Sequence, residues 1–226
     1  AYEIYQCDWS SDVCSSDLNY FDLNQDQKKK LDKDLNDDLN RLRAERFKQI
    51  AKSLRTLEKK SDQPGNAKFL SSSYDEVQQI YKESSPYFKD STQNLIFSLS
   101  DSQFTGFQAK LRKEITESRK TLPSAREMND ELIDRYQIGL QYWFGDLRED
   151  QKDLLAKFVQ EKRYPWKEKL KNKEALLESF EESRPNNVKM KKFVSEYIAN
   201  YDSLRIPEYA NAMDAYQKDL HNFLDS

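Results

Sequence analysis

From Asn24 onward the apolar residues fall at helical spacing. Leu31, Leu35, Leu39, Leu42, Ile50, Leu54 and Leu57 recur by threes, fours and one double step along one face, which predicts a long amphipathic helix. Asn24 is placed as its N-cap, Gln27 as the residue that answers it three positions on, and Leu23 as the apolar residue just before the cap. The turn formers Ser61-Asp62-Gln63-Pro64-Gly65-Asn66 stop it near Lys60.

The same start signal recurs along the chain. FDLNQDQKKKL at 21–31 is echoed by FSLSDSQFTGF at 97–107, where Leu99, Ser100 and Gln103 repeat the pattern, and more loosely by FGDLREDQKDLL at 144–155, with Leu147 and Gln151. In the third copy Arg148 stands at the cap. Because its side chain has no acceptor, Asp146 with Glu149 is expected to cap one register earlier.

Further periodic runs predict helices over about 73–97, disturbed at Pro86; over 101–120; and from Pro123 through Trp143. Another covers about 148–181, kinked or broken at Pro165. After the Arg184-Pro185-Asn186-Asn187 turn come one carrying Met190 to Tyr201 and a last one after Pro207. The sum is an all-α, irregular bundle of seven or eight helices.

Composition sharpens this picture. Of 226 residues 34% are charged and mean hydropathy is -1.00, yet 12% are aromatic, which argues for a packed core rather than disorder. Four glycines are few for a sheet protein, whose tight turns depend on them. A chain of this length buries roughly 70% of its unfolded surface.

Residues 1–18, AYEIYQCDWSSDVCSSDL, do not match the rest. They hold both cysteines, Trp9 and four acids (Glu3, Asp8, Asp12, Asp17) with no Lys or Arg, and all eighteen read as the translation of a sequencing-library adapter. The expectation is therefore an artefactual, unstructured leader, in preference to a disulfide or metal site built on Cys7 and Cys14. Without those four acids the chain has 37 basic and 36 acidic residues, interspersed, and no electrostatic footprint for nucleic acid.

Candidate chemistry is sparse. His221 is the one histidine, which removes two-histidine metal motifs and leaves any Ser-His-Asp triad to a single residue. Gly139 and Gly145 are the closest glycine pair, so no phosphate-cradling loop can be built and no nucleotide is expected. Glu127, Asp130, Glu131 and Asp134 have helical spacing, but Arg126 and Arg135 share that helix, and a solvated ion-paired face is the favoured reading. No catalytic, cofactor or metal residue is assigned. Lys162, Arg163, Lys167, Lys169, Lys171 and Lys173 surround Tyr164 and Trp166 and form the candidate membrane or partner surface, against the favoured reading of a kinked helix whose aromatics enter the core.

NYFDLNQDQ, SLSDSQ, YWFGDLREDQ and the closing RIPEYANAMDAYQKDLHNFLDS give the chain from Asn19 to Ser226 a resemblance to a family of uncharacterised gammaproteobacterial lipoproteins, known only as a domain of unknown function. The resemblance implies a lipid anchor and a cell-envelope protein facing the periplasm. The family's signal and lipobox cysteine are missing where residues 1–18 stand, and similar proteins continue with another LTxxQ helix beyond a stretch like FLDS. The expected organisation is thus one helical domain over 19–226, truncated at both ends, with sub-groups at 19–121 and 122–226. Its expected role is non-enzymatic, through an unidentified protein partner or a membrane surface. A chaperone-like binder of unfolded proteins is the alternative, and a carboxylate-dependent hydrolase the third.

Overall fold

A computed structural model describes residues 21–61, 68–120 and 125–225, with the side chains of 61, 125 and 142–144 outside that description. The leader at 1–18 and the Pro123 helix start lie outside the described residues. Within them the chain is helical throughout: α1 (Gln25–Ser61), α2 (Phe69–Ser84), α3 (Lys89–Ser98), α4 (Asp101–Lys120), α5 (Ala125–Phe144), α6 (Glu149–Glu161), α7 (Trp166–Ser183), α8 (Asn187–Ala199) and α9 (Pro207–Leu224). Helices α2 and α3 are halves of one bent rod, joined by a 3-10 turn (Ser85–Phe88) with Pro86 at its start, where the missing N–H interrupts the ladder. Counting that rod once gives eight helices.

Proline and asparagine set the other joints. Pro165 separates α6 from α7, and the break turns Tyr164 inward to 1% exposure, edge-on to Tyr216 with ring centroids 5.2 Å apart. Asn186 caps α8, its Oδ1 accepting from the Val188 and Lys189 N–H groups. Pro207 occupies the first turn of α9. Gly145 follows α5 at φ 76, a left-handed position where a side chain would be strained.

The long helix α1 runs antiparallel to the α3–α2 rod. Gln27 reaches Ser98, Asp34 accepts from Asn94 (2.9 Å), Arg41 donates to the Tyr87 carbonyl (2.7 Å) and Arg46 pairs with Glu83. Arg112–Glu181 and Arg119–Glu174 tie α4 to α7, and Gln93 on α3 donates to Ser195 on α8 (2.9 Å). Surface pairs such as these fix register more than they stabilise.

Two apolar clusters carry the packing. One joins Leu23, Leu31, Ile96, Leu99 and Phe104 to Phe180, Met190 and Val194; the other joins Leu132, Leu155, Phe158 and Tyr164 to Tyr209, Met213, Tyr216 and Leu220. Phe180, Met190 and Val194, from α7 and α8, pack in the same cluster as the residues of the first helices. Among the described residues α2 is the helix that lies along the far half of α1, where Phe47 is 55% and Leu54 41% exposed.

A charged knot links α2 to the 3-10 turn Tyr201–Leu204. Asp202 lies between Lys82 (2.8 Å) and Arg205 (2.9 Å). Burial alone would push its carboxyl up, but the Lys82 hydrogen bond and the charges of Arg205 and Lys82 outweigh it, so its pKa falls below the ordinary range. A carboxylate lowered on folding contributes stability above its unfolded value, near 4, and loses that contribution as pH falls through the folded value. Asp202→Asn should therefore lose less stability than the wild type on acidification below about pH 4. Urea midpoints measured across that range check this, and parallel curves would refute it.

Candidate functional site

The first two helix starts, 76 residues apart in sequence, meet in space. At each, the glutamine Oε1 accepts from the backbone N–H of its own cap residue, Asn24 for Gln27 and Ser100 for Gln103, at 3.0 Å in both cases. The cap side chains return the bond to the Gln27 and Gln103 N–H groups at 2.9 and 3.2 Å, closing two capping boxes.

The two glutamines then bond to each other. Gln27 Nε2 donates to Gln103 Oε1 (3.0 Å) and Gln103 Nε2 donates to Gln27 Oε1 (2.8 Å). Each amide spends its second hydrogen on a carbonyl two residues before the other's cap: Ser98 for Gln27 (2.8 Å) and Asp22 for Gln103 (3.0 Å). Both donors and the oxygen of each amide are thereby filled, by bonds that exchange under a local twofold axis. Asp22 adopts φ 46, a left-handed conformation that aspartate tolerates, in the turn that offers this carbonyl.

Apolar side chains close over the amides. Leu23 and Leu99, equivalent under the twofold, are 7% and 5% exposed, and Phe21 stacks on Phe107 at 4.4 Å between ring centroids. Arg184 secures the α4 end, its guanidinium 4.5 Å from the Phe104 ring centroid and bonded to Asp101 at 2.9 Å.

The third start keeps the register of the other two, contrary to the expected shift to Asp146. Helix α6 begins at Glu149 with Arg148 as cap, and Gln151 Oε1 accepts from the Arg148 N–H at 3.0 Å. That half of the box needs only the cap's backbone, so arginine is no obstacle. The reciprocal half, a cap side chain accepting from the Gln151 N–H, is impossible for a guanidinium. Arg148 turns to Asp150 instead, with two bonds of 3.0 Å that hold the Asp150 carboxyl below its usual range. No hydrogen bond from Gln151 Nε2 occurs among the described residues, and Leu147 is half-buried, unlike Leu23 and Leu99.

The basic and aromatic segment separates into two sets. Tyr164 and Lys169 are buried, 1% and 8% exposed, and Trp166 is half-buried, packed against the second cluster. The Lys169 ammonium lies 5.9 Å from the ring centroids of both Tyr164 and Trp166. Tyr164 and Lys169 thus sit inside the second cluster and Trp166 packs against it. Lys162 binds Asp219 on α9 (3.1 Å), which leaves Arg163, Lys167, Lys171 and Lys173 exposed. The proline break explains the division, since it points the aromatic pair inward while Lys167, Lys171 and Lys173 of α7 stay exposed.

The acidic residues of α5 are all exposed, with Arg126 near Asp130 (3.9 Å) and Arg135 bonded to Glu131. His221 pairs with Asp75 across α9 and α2 at 3.1 Å, edge-on to Tyr74. Among the described residues no cluster of three His, Cys, Asp or Glu could hold a metal ion, and no helix is long and apolar enough to cross a membrane.

Asn172 was not singled out by the sequence. It is 1% exposed on α7; its Oδ1 accepts from the Ile206 N–H (2.9 Å) and its Nδ2 donates to the Tyr201 hydroxyl (3.2 Å). The one signal available was a short polar residue at an inward helical position, three residues after Lys169.

Fold and joints together define an all-helical bundle whose conspicuous polar motifs serve as helix connectors. The chain belongs to DUF6279, a family of unknown function, whose model matches residues 19–210. No curated protein and no solved structure matches it.

Proposed function

We propose that the protein is a non-enzymatic helical component of the cell envelope, lipid-anchored and facing the periplasm, that acts through contacts with a protein or a membrane surface. The observation that carries the contact reading is where the polar groups go. The glutamine boxes, Asn172 and Arg184 spend their hydrogen bonds on helix joints, and the acids of α5 are solvated or ion-paired. Exposed groups open to such contacts are Phe47, Ile138 and Leu154, at 55%, 68% and 57% exposure, and Lys167, Lys171 and Lys173 on α7. The envelope location rests on the resemblance of 19–226 to lipoproteins.

The test is expression of the intact gene with fatty-acid labelling and crosslinking in cells. Label on a cysteine upstream of residue 19, with a periplasm-facing crosslinked partner, is the expected result. An unlabelled protein that fractionates with the cytosol removes the assignment.

A second reading, a chaperone-like binder of unfolded chains, draws support from the α1–α2 arm. Phe47, Leu54 and Tyr81 are exposed there, with the Arg43 guanidinium 6.0 Å from the Phe47 ring. It requires suppression of client aggregation at stoichiometric amounts of protein, and aggregation unchanged by the protein ends it.

A further inference from the structure

The charge balance of α1 changes along its length. Residues 25–42 carry five acids and five bases, whereas 43–60 carry seven Lys and Arg residues against Glu45 and Glu58. Leu42, Arg46, Ile50, Ser53 and Leu57 are half-buried and mark one side of this far half, the side from which Arg46 reaches Glu83 on α2. Two further lines of side chains are exposed. Phe47 and Leu54 lie seven residues apart, two turns along one line, and Lys48, Lys52, Arg55 and Lys59, at i, i+4, i+7 and i+11, form a basic line beside it. The Arg43 guanidinium lies 6.0 Å from the Phe47 ring centroid, a cation at the head of the apolar line. Of the acids on α2, Glu83 pairs with Arg46 and Asp75 with His221.

We propose that the far half of α1 is a lipid-docking surface: it lies along an anionic bilayer, with Phe47 and Leu54 entering the headgroup boundary and Lys48, Lys52, Arg55 and Lys59 on the lipid phosphates. Charge complementarity selects the occupant. Seven bases less two acids leave an excess of five positive charges on residues 43–60 of a chain whose total is -3, so the excess belongs to this face and not to the protein as a whole. The apolar line then decides between anionic partners. Nucleic-acid phosphates use the cations alone, whereas a bilayer also takes up an exposed phenyl ring and an isobutyl group, each of which transfers favourably out of water. Lysine and arginine stems lie along that apolar boundary while their heads stay at the phosphates. On α7 the large apolar side chains are buried or half-buried, so its exposed lysines have no such line beside them. The proposal rests on the contact reading above and narrows it to a lipid surface; it needs neither the anchor nor the envelope location.

Co-sedimentation of the full 226-residue chain with vesicles tests it, comparing phosphatidylcholine alone with phosphatidylcholine containing phosphatidylglycerol. The expected result is binding to the anionic vesicles only, weakened by added salt. Affinity should fall at least about tenfold in Lys48→Gln/Lys52→Gln/Arg55→Gln and in Phe47→Ser/Leu54→Ser, with helicity by circular dichroism unchanged because all five side chains are exposed. Lys167→Gln/Lys171→Gln on α7 should bind as the wild type does. No binding to anionic vesicles, equal binding to neutral ones, or wild-type affinity in either folded α1 variant overturns the proposal. So does binding of a DNA oligonucleotide by a chain that leaves the vesicles unbound. Fatty-acid labelling and fractionation are separate readouts, so this surface and the envelope assignment can fail independently.

Discussion

Phe180→Ala should cost about 3–5 kcal/mol of unfolding free energy, the largest loss expected from any single truncation in the N-terminal cluster. The Phe180 ring stacks on Phe104 (4.9 Å between centroids) and meets Phe107 and Phe193 at 5.5 and 5.7 Å. It therefore touches aromatic rings from both α4 and α8. Removal leaves a cavity between rigid rings that cannot collapse toward each other, and it forfeits the aromatic pairings as well as the transfer energy. Because small domains have only about 5–15 kcal/mol in hand, the variant should unfold at much lower urea, or fail to accumulate. Phe180→Leu, which keeps most of the volume, should lose about half as much. Equilibrium urea unfolding followed by circular dichroism separates the two. A loss below about 1 kcal/mol for Phe180→Ala would mean that this cluster does not hold the helices together.

Asn172→Ala comes next, at about 2–3 kcal/mol. Its side chain links α7 to the segment entering α9, giving the Ile206 N–H an acceptor and the Tyr201 hydroxyl a donor. Pro207, next along, has no N–H to share, so the turn relies on this bond for its closure. Alanine removes the acceptor and leaves the Ile206 N–H without that partner, a larger penalty than the bond is worth when both partners are removed. The effect should be local as well as global. Hydrogen exchange at Ile206 should accelerate well beyond that of Met190 in the other cluster. Equal acceleration at both sites would point to general loosening instead.

Legibility of these features from sequence followed the range of the interactions. The starts at Asn24 and Ser100 could be read because cap, glutamine and leucine lie within five residues of one another, and local hydrogen bonds impose local spacing. Their pairing could not, since the Gln27–Gln103 bonds cross 76 residues and a polar side chain carries no sign of where its second hydrogen goes. Arg148 hides the third start because a guanidinium cannot cap through its side chain, whereas the backbone half of the box holds the register alone. The segment from Lys162 to Lys173 looked like a surface by charge. Pro165 decides otherwise for Tyr164, and with it Lys169 is drawn over two rings, its stem buried along apolar surface. Asn172 and Arg184 act across helices, and in sequence they resemble any other polar residue near a turn.

Paired glutamine boxes join α1 to α4 as one unit. A double-mutant cycle with Gln27→Ala, Gln103→Ala and the double variant, read by urea unfolding, measures the coupling directly. The expected result is a loss of about 1–2 kcal/mol for each single change and a double variant well short of the sum, with a coupling of about 1 kcal/mol, since the first substitution already strands the second amide. Losses that add to within a few tenths of a kcal/mol would mean that the two amides act independently, and would contradict the joint.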